Sequence, residues 1–460
     1  MKTKFIIFTV SMLIMFSAVS CLKIPDEKDE KEIIIPDENF ITNTQNISGI
    51  PYAVKINFSN GQTDVENPFK EYGVTVNVDK QNVTIISTTL DLEVNYVLSG
   101  NTSDGFVKIY SDLRFGLILN GVSILNPTGA AINVQSSKRV AVTLVDKTYN
   151  RLIDGGMFEM TADERMEGTL HSEGQLIFNG GGSLLVYGNE GHAIAVRDYI
   201  RINSGNITIN NASSDGIHCR DSFEMNGGNV EINAQSDGVE SARQYITISG
   251  GTLKIKSGNK GLKSAENMEI SGGRIEIESL DDAARAEDNL VVTGGEIYCY
   301  SNKNGFVSTG GAIAVTGGLI VTSATKNIFD CAKTFSVTGG TAIGVGNATI
   351  IPNESASRQW TVVWGASKFT AGQLIYIKSS NNSEVLTFKL PRAYSGGMTL
   401  VYTSPLLQAN TNYTIYKDGA VSGGSDFHGF YSGAVSGGGT TAATFSTSDM
   451  VAIVGNVSIL

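Results

Sequence analysis

The chain has 460 residues and 41% hydrophobic content, enough to bury a sizeable core, and by length alone it would hold two or three domains. Its formal net charge of -11 argues against nucleic acid, because a phosphate-binding surface needs a basic patch and no Lys/Arg-rich run occurs; an anionic ligand would need a bridging cation. Glycine is abundant at 52 residues and proline scarce at 8, a balance that would mean low complexity if the glycines were not regularly spaced, and they are.

Residues 1–20 carry the three zones of a secretory signal: Lys2 and Lys4, an apolar run from Phe5 to Phe16, then the small residues Ser17, Ala18 and Ser20. The run is too short for a stop-transfer helix, and Cys21 follows directly. This arrangement resembles a bacterial lipobox, with Ala18 where Leu is usual, and implies lipidation of Cys21. Residues 21–46 are charged and proline-punctuated, which reads as a tether. The other cysteines, Cys219, Cys299 and Cys331, are an odd and scattered trio with neither disulfide nor metal-ligand spacing, and they read as small core residues.

Residues 47–97 read as an N-terminal β segment or cap, and residues 98–182 as irregular strand-and-turn coils. From there a Gly-Gly or Ser-Gly pair recurs, its second glycine at 182, 205, 228, 251, 273, 295, 318 and 340, a spacing of 22 or 23 residues. A fixed period of this size marks a solenoid in which each repeat is one coil. Short period-two strands flank each pair, as Ile246/Ile248 before Gly251 and Leu253/Ile255 after it. A third inward position follows a turn, as Ile217, Val239, Leu262, Ala284, Phe306 and Phe329. Three short strands per coil, without helical periodicity or a leucine-rich pattern, predict an all-β chain: a right-handed parallel β-helix over residues 98–345. The glycine pairs suit a tight corner between sheets, where φ is positive or backbones approach closely. Residues 346–460 read as alternating strands, a small sandwich or a cap over the open end.

Four segments carry a family resemblance: LNGVSILNPTGAAINVQSSKRVAVTL, LHSEGQLIFNGGGSLLVYGN, SSDGIHCRDSFEMNGGNVEINAQSDGVES and TSPLLQANTNYTIYKDG. In content and order, from about Ile47 to Gly424, they resemble the calcium-associated carbohydrate-binding β-helix family with a polysaccharide-lyase-like fold. The resemblance implies binding of cellulose-like and acidic, pectin-like polysaccharide, with calcium in acidic sites on the helix. The family's Asp-Gly turn is kept at Asp215-Gly216 and Asp237-Gly238 but altered at Lys260-Gly261 and Asp282-Ala283, and Lys260 falls where another acid would extend the metal ladder.

Turn positions stack between coils and form ladders. One runs Asp215, Asp237, Lys260, Asp282, Asn304; three residues later runs His218, Glu240, Lys263, Arg285. Both are expected to face solvent. Asp215 and Asp237 on adjacent coils form a like-charge pair that a cation would relieve, and calcium suits such a pair joined by Glu240, with Asp282 as a further ligand. The competing reading is that Lys260, Lys263 and Arg285 neutralise the acids. Outward positions after the glycine pairs run Thr208, Glu231, Lys254, Glu276, Tyr298, and in parallel Asn210, Asn233, Lys256, Glu278, Tyr300. The alternating charges read as a solvated face. Tyr298 and Tyr300 suggest an aromatic platform for a sugar ring, or equally packing beneath the C-terminal region. The candidate carbohydrate-binding residues are thus His218, Lys263, Arg285, Tyr298 and Tyr300.

A polysaccharide lyase needs a base beside the uronate C5 proton and a cation on its carboxylate. Lys263, flanked by Asp237, Glu240 and Asp282, is the one candidate, but a lysine paired with acids keeps its proton. The four histidines show no metal or triad spacing. The expectation is an exported, lipid-anchored, monomeric polysaccharide-binding protein of the outer membrane or cell surface, associated with calcium. A calcium-dependent lyase and a structural adhesin are the alternatives.

Overall fold

The structure is a computed structural model that describes residues 45, 49–158 and 164–460. The segments read as a signal sequence and a tether, with Cys21 between them, lie almost wholly outside the described residues. Gln45 is held by two bonds with Asn120, its N–H donating to Oδ1 at 2.9 Å and its carbonyl accepting from Nδ2 at 2.9 Å.

Among the described residues all regular structure is strand, apart from a 3-10 turn at Lys70–Tyr72. The chain winds into a parallel β-solenoid of about 11 turns with coils of about 23 residues. Inward side chains alternate along each strand and stack in files: Val230, Leu253, Ile275, Ile297 and Ile320 form one, every member buried. Each coil covers only its neighbours, so this core is continuous along the axis. Cys219, Cys299 and Cys331 are free and buried in it.

The corner glycines show why their spacing is strict. From Gly205 to Gly340 the second glycine of each pair has φ between 78° and 106°, which a side chain rarely tolerates. At the first pair the role passes to Gly180, at φ 94°, rather than Gly182.

Parallel pairing starts before residue 98. Ala53–Ser59 pairs with Asn95–Thr102, and Asn82–Ser87 with Phe106–Ser111. At the other end Met398–Thr403 pairs antiparallel with the last coil strand, Thr341–Gly346, and Thr361–Ala366 and Val451–Gly455 extend the same sheet. A six-stranded sheet from the C-terminal residues forms a second core, around Ile375, Phe388, Tyr402 and Ile415. This core packs on outward residues of the last coils, Tyr298, Val321 and Ile343. The solenoid edge is thereby paired and covered rather than left as an open template.

Candidate functional site

The predicted register holds: His218 pairs with Glu240, Glu240 with Lys263, and Lys263 with Arg285 on successive short strands. The expected exposure of the aspartates does not. Asp215, Asp237 and Asp282 are only 4%, 2% and 0% exposed. The cause is backbone chemistry. Oδ1 of Asp215 accepts the N–H of Asp237 at 2.9 Å, Asp237 does the same for Lys260 at 2.8 Å, Asp282 for Asn304 at 3.2 Å and Asn304 for Asn327 at 3.1 Å. Each side chain thus satisfies the turn N–H of the following coil, a donor that would otherwise be buried without a partner. Asp and Asn recur at this position because they are short acceptors; Lys260 interrupts the ladder because it has no acceptor.

One coil before Asp215 the same ladder holds His192, whose Nδ1 accepts the Asp215 N–H at 3.2 Å. Subtracting one coil length from Asp215 would have found it. The ladder brings the ring of His192 over that of His218, stacked with centroids 4.4 Å apart. The histidine spacing that looked uninformative along the chain is therefore a contact between coils.

His218 Nδ1 sits 3.2 Å from Asp215 Oδ2 and 3.0 Å from Glu240 Oε2. Burial works against charge on this ring, but the bonds to Asp215 and Glu240 outweigh it and lift His218 to about 9. Burial likewise disfavours the Asp215 carboxylate, and the two histidines overcome it and hold the group well below its ordinary range. Glu240 is lowered by its bond to His218, against burial, with Lys263 helping. Asp237 is raised by burial, although it accepts the Lys260 N–H. Lys263 bonds Glu240 and stands 3.8 Å from Asp237 Oδ2; burial opposes its charge, but these acids raise it. A lysine so held is protonated at neutral pH and unfit to take a C5 proton.

Asp215, Asp237 and Glu240 each bring a carboxylate oxygen within 4.8 Å of the others. In donor chemistry the trio suits calcium, which prefers oxygen. Its charge, however, is already partly offset by His218 and Lys263, so an ion here competes with the Lys263 ammonium. Asp282 stands apart from the trio: Arg285 lies 3.2 Å from its Oδ2, and Asn304 Nδ2 donates to Oδ1 at 2.7 Å.

Tyr298 and Tyr300 lie on a different face from His218, Lys263 and Arg285, and they are not an open platform. His428 stacks on Tyr298 at 3.7 Å between centroids, and the Arg392 guanidinium covers Tyr300 at 3.6 Å. Packing beneath the C-terminal strands explains both. One open feature of this face is a groove of about 500 Å³ that runs along successive coils past Asn210, Asn233, Lys254 and Glu276 and is bounded by Tyr298 and His428. Lys254 and Glu276 pair across its floor at 3.8 Å.

Fold and groove together define a parallel β-solenoid with an extended polar furrow beside a C-terminal β-sheet. A family described as carbohydrate-binding domain-containing protein matches residues 79–280 and 259–382, more than half of the chain, and the chain belongs to that family. A carbohydrate-binding domain-containing protein of Acetivibrio thermocellus is 29% identical over 137 residues, which are 29% of this chain and 48% of the relative. The chain thus spans about half the length of the curated relative it matches. A solved polysaccharide lyase-like protein from C. thermocellum is 20% identical, covering 62% of this chain and 97% of that one, with a TM-score of 0.39.

Proposed function

We propose that the protein binds polysaccharide, with the polymer lying in the furrow that passes Asn210, Asn233 and Lys254 toward His428. Membership of the carbohydrate-binding family carries this reading, and the groove supports it. An open furrow crossing several coils suits an extended polymer, and its floor mixes amide and ammonium donors with carboxylate acceptors, the groups that sugar hydroxyls use. The finer parts rest on the sequence. Export and acylation of Cys21 would hold the binding face at the cell surface, and calcium at Asp215, Asp237 and Glu240 would bridge acidic chains to a protein of net charge -11.

The test is a glycan-binding screen with and without calcium, followed by N233A and K254A in the furrow and K263A on the opposite ladder. Loss of binding in the furrow variants alone supports the assignment; unchanged affinity in both removes the furrow. Chelation that leaves acidic-polysaccharide binding intact removes calcium. For the anchor, C21S should release the protein from membranes, and continued fractionation with membranes would refute acylation.

A further inference from the structure

The two stacked histidines make a ligand set that the acidic trio alone does not. His192 Nδ1 lies 3.3 Å and His218 Nδ1 3.2 Å from the same oxygen, Asp215 Oδ2. The donor atoms of these three residues all fall within 4.8 Å of one another. Ligands bound tetrahedrally at about 2.0–2.1 Å stand about 3.3 Å apart, so both edges already have the length of a coordination polyhedron. From these contacts we propose that His192, Asp215 and His218 form a site for a borderline divalent transition ion of the zinc class, distinct in chemistry from a calcium site.

Three observations support the assignment. First, the donors are two imidazole nitrogens and one carboxylate oxygen, a set that favours zinc and its neighbours over oxygen-seeking calcium. Second, the cluster has a lone-pair conflict that a cation resolves. With His192 Nδ1 accepting the Asp215 N–H, its approach to Oδ2 sets acceptor against acceptor. A metal ion bound to Oδ2 and His192 Nδ1 would replace that repulsion with two coordinate bonds, taking the single Nδ1 lone pair over from the Asp215 N–H and displacing the proton of His218. Third, access is open: the side chains of His192 and His218 are 19% and 22% exposed, while Asp215 is fixed from behind by the Asp237 N–H. Glu240 Oε2, 3.0 Å from His218 Nδ1, borders this set. Bound there, the ion ties two consecutive coils together. This inference does not depend on polysaccharide binding.

The experiment is calorimetric titration of the chelator-treated, dialysed whole protein with zinc chloride and, separately, with calcium chloride. Wild type should take up one equivalent of zinc. H192Q and H218Q should each lose roughly ten-fold or more in affinity, whereas D237N should bind zinc as wild type does. Zinc uptake that survives H192Q but fails in D237N would assign the ion to the acidic trio and overturn the proposal, as would no uptake at all. Cobalt on the wild-type protein gives a reading independent of variant folding. Intense visible bands of a tetrahedral nitrogen-containing site support the assignment, and the weak spectrum of an all-oxygen octahedral ion refutes it.

Discussion

The turn glycine of each coil and one inward residue of a neighbouring strand share a fixed volume, and this sets up a quantitative test. A Cβ on Gly238 would lie 2.4 Å from Ile255 Cγ2, and one on Gly261 2.3 Å from Ile277 Cγ2. The strand file continues in register through Ile232, Ile255, Ile277, Cys299, Thr322 and Gly344. Where the turn carries Ala283 instead of glycine, the strand carries Cys299 instead of isoleucine. In the last coil the sizes are exchanged: Ile328 occupies the turn, and a Cβ on Gly344 would lie 2.2 Å from its Cγ2. Ala193 opposite Ile209 is the exception, and there the pairing shifts register immediately after Ile209. Ordinary carbon contacts are about 3.5–4.0 Å, so G238A alone forces an overlap of more than about 1 Å and should cost about 1–3 kcal/mol. I255C alone removes buried volume and should cost about 1–2 kcal/mol. The double variant recreates the Ala283 and Cys299 pair and should lose at least about 1 kcal/mol less than the sum. Urea unfolding, compared at constant slope, measures all four proteins. If the double loss equals the sum within about 0.5 kcal/mol, the shared-volume argument fails.

Three further outcomes follow from the same geometry. I248D should disrupt several coils, since an unpaired buried carboxylate costs several kcal/mol, while K254A on the outward face should stay within about 0.5 kcal/mol; equal losses in urea would place the strand register off by one. D237A should destabilise by about 1–3 kcal/mol by orphaning the Lys260 N–H, and D237N, which keeps an acceptor, by clearly less; equal losses would show that the charge rather than the N–H bond matters. The raised His218 value also sets a pH dependence in metal-free protein. A base held at about 9 in the fold against 6.5 unfolded contributes stability that is fully present below about 6.5 and lost as pH rises through about 9. Counted once for the network it shares with Asp215 and Glu240, the effect is on the order of 3 kcal/mol. Melting at pH 6 and pH 9.5 should show the loss in wild type and not in H218Q, and parallel pH profiles for the two would refute the assignment.

Much of the molecule is written locally in the chain. The coil length, the inward files, the solvated alternation of Glu231, Lys254 and Glu276 and the register of His218 on Glu240 and Lys263 are all repeat arithmetic, because in a solenoid each coil meets only a copy of itself one period away. What that arithmetic left open was where a polar side chain turns and what covers an outward one. Asp215 and Asp237 are buried because a backbone N–H of the next coil needs an acceptor, a demand that a reading by side-chain polarity does not register. The same ladder makes His192 a neighbour of His218, and only the stacked rings show it. Tyr298 and Tyr300 are outward as their alternation predicts, yet Arg392 and His428 cover them. Those residues lie outside the repeat, so no period relates them to the strand they shield, and their position is set by how the C-terminal sheet buries its own apolar face on the last coils.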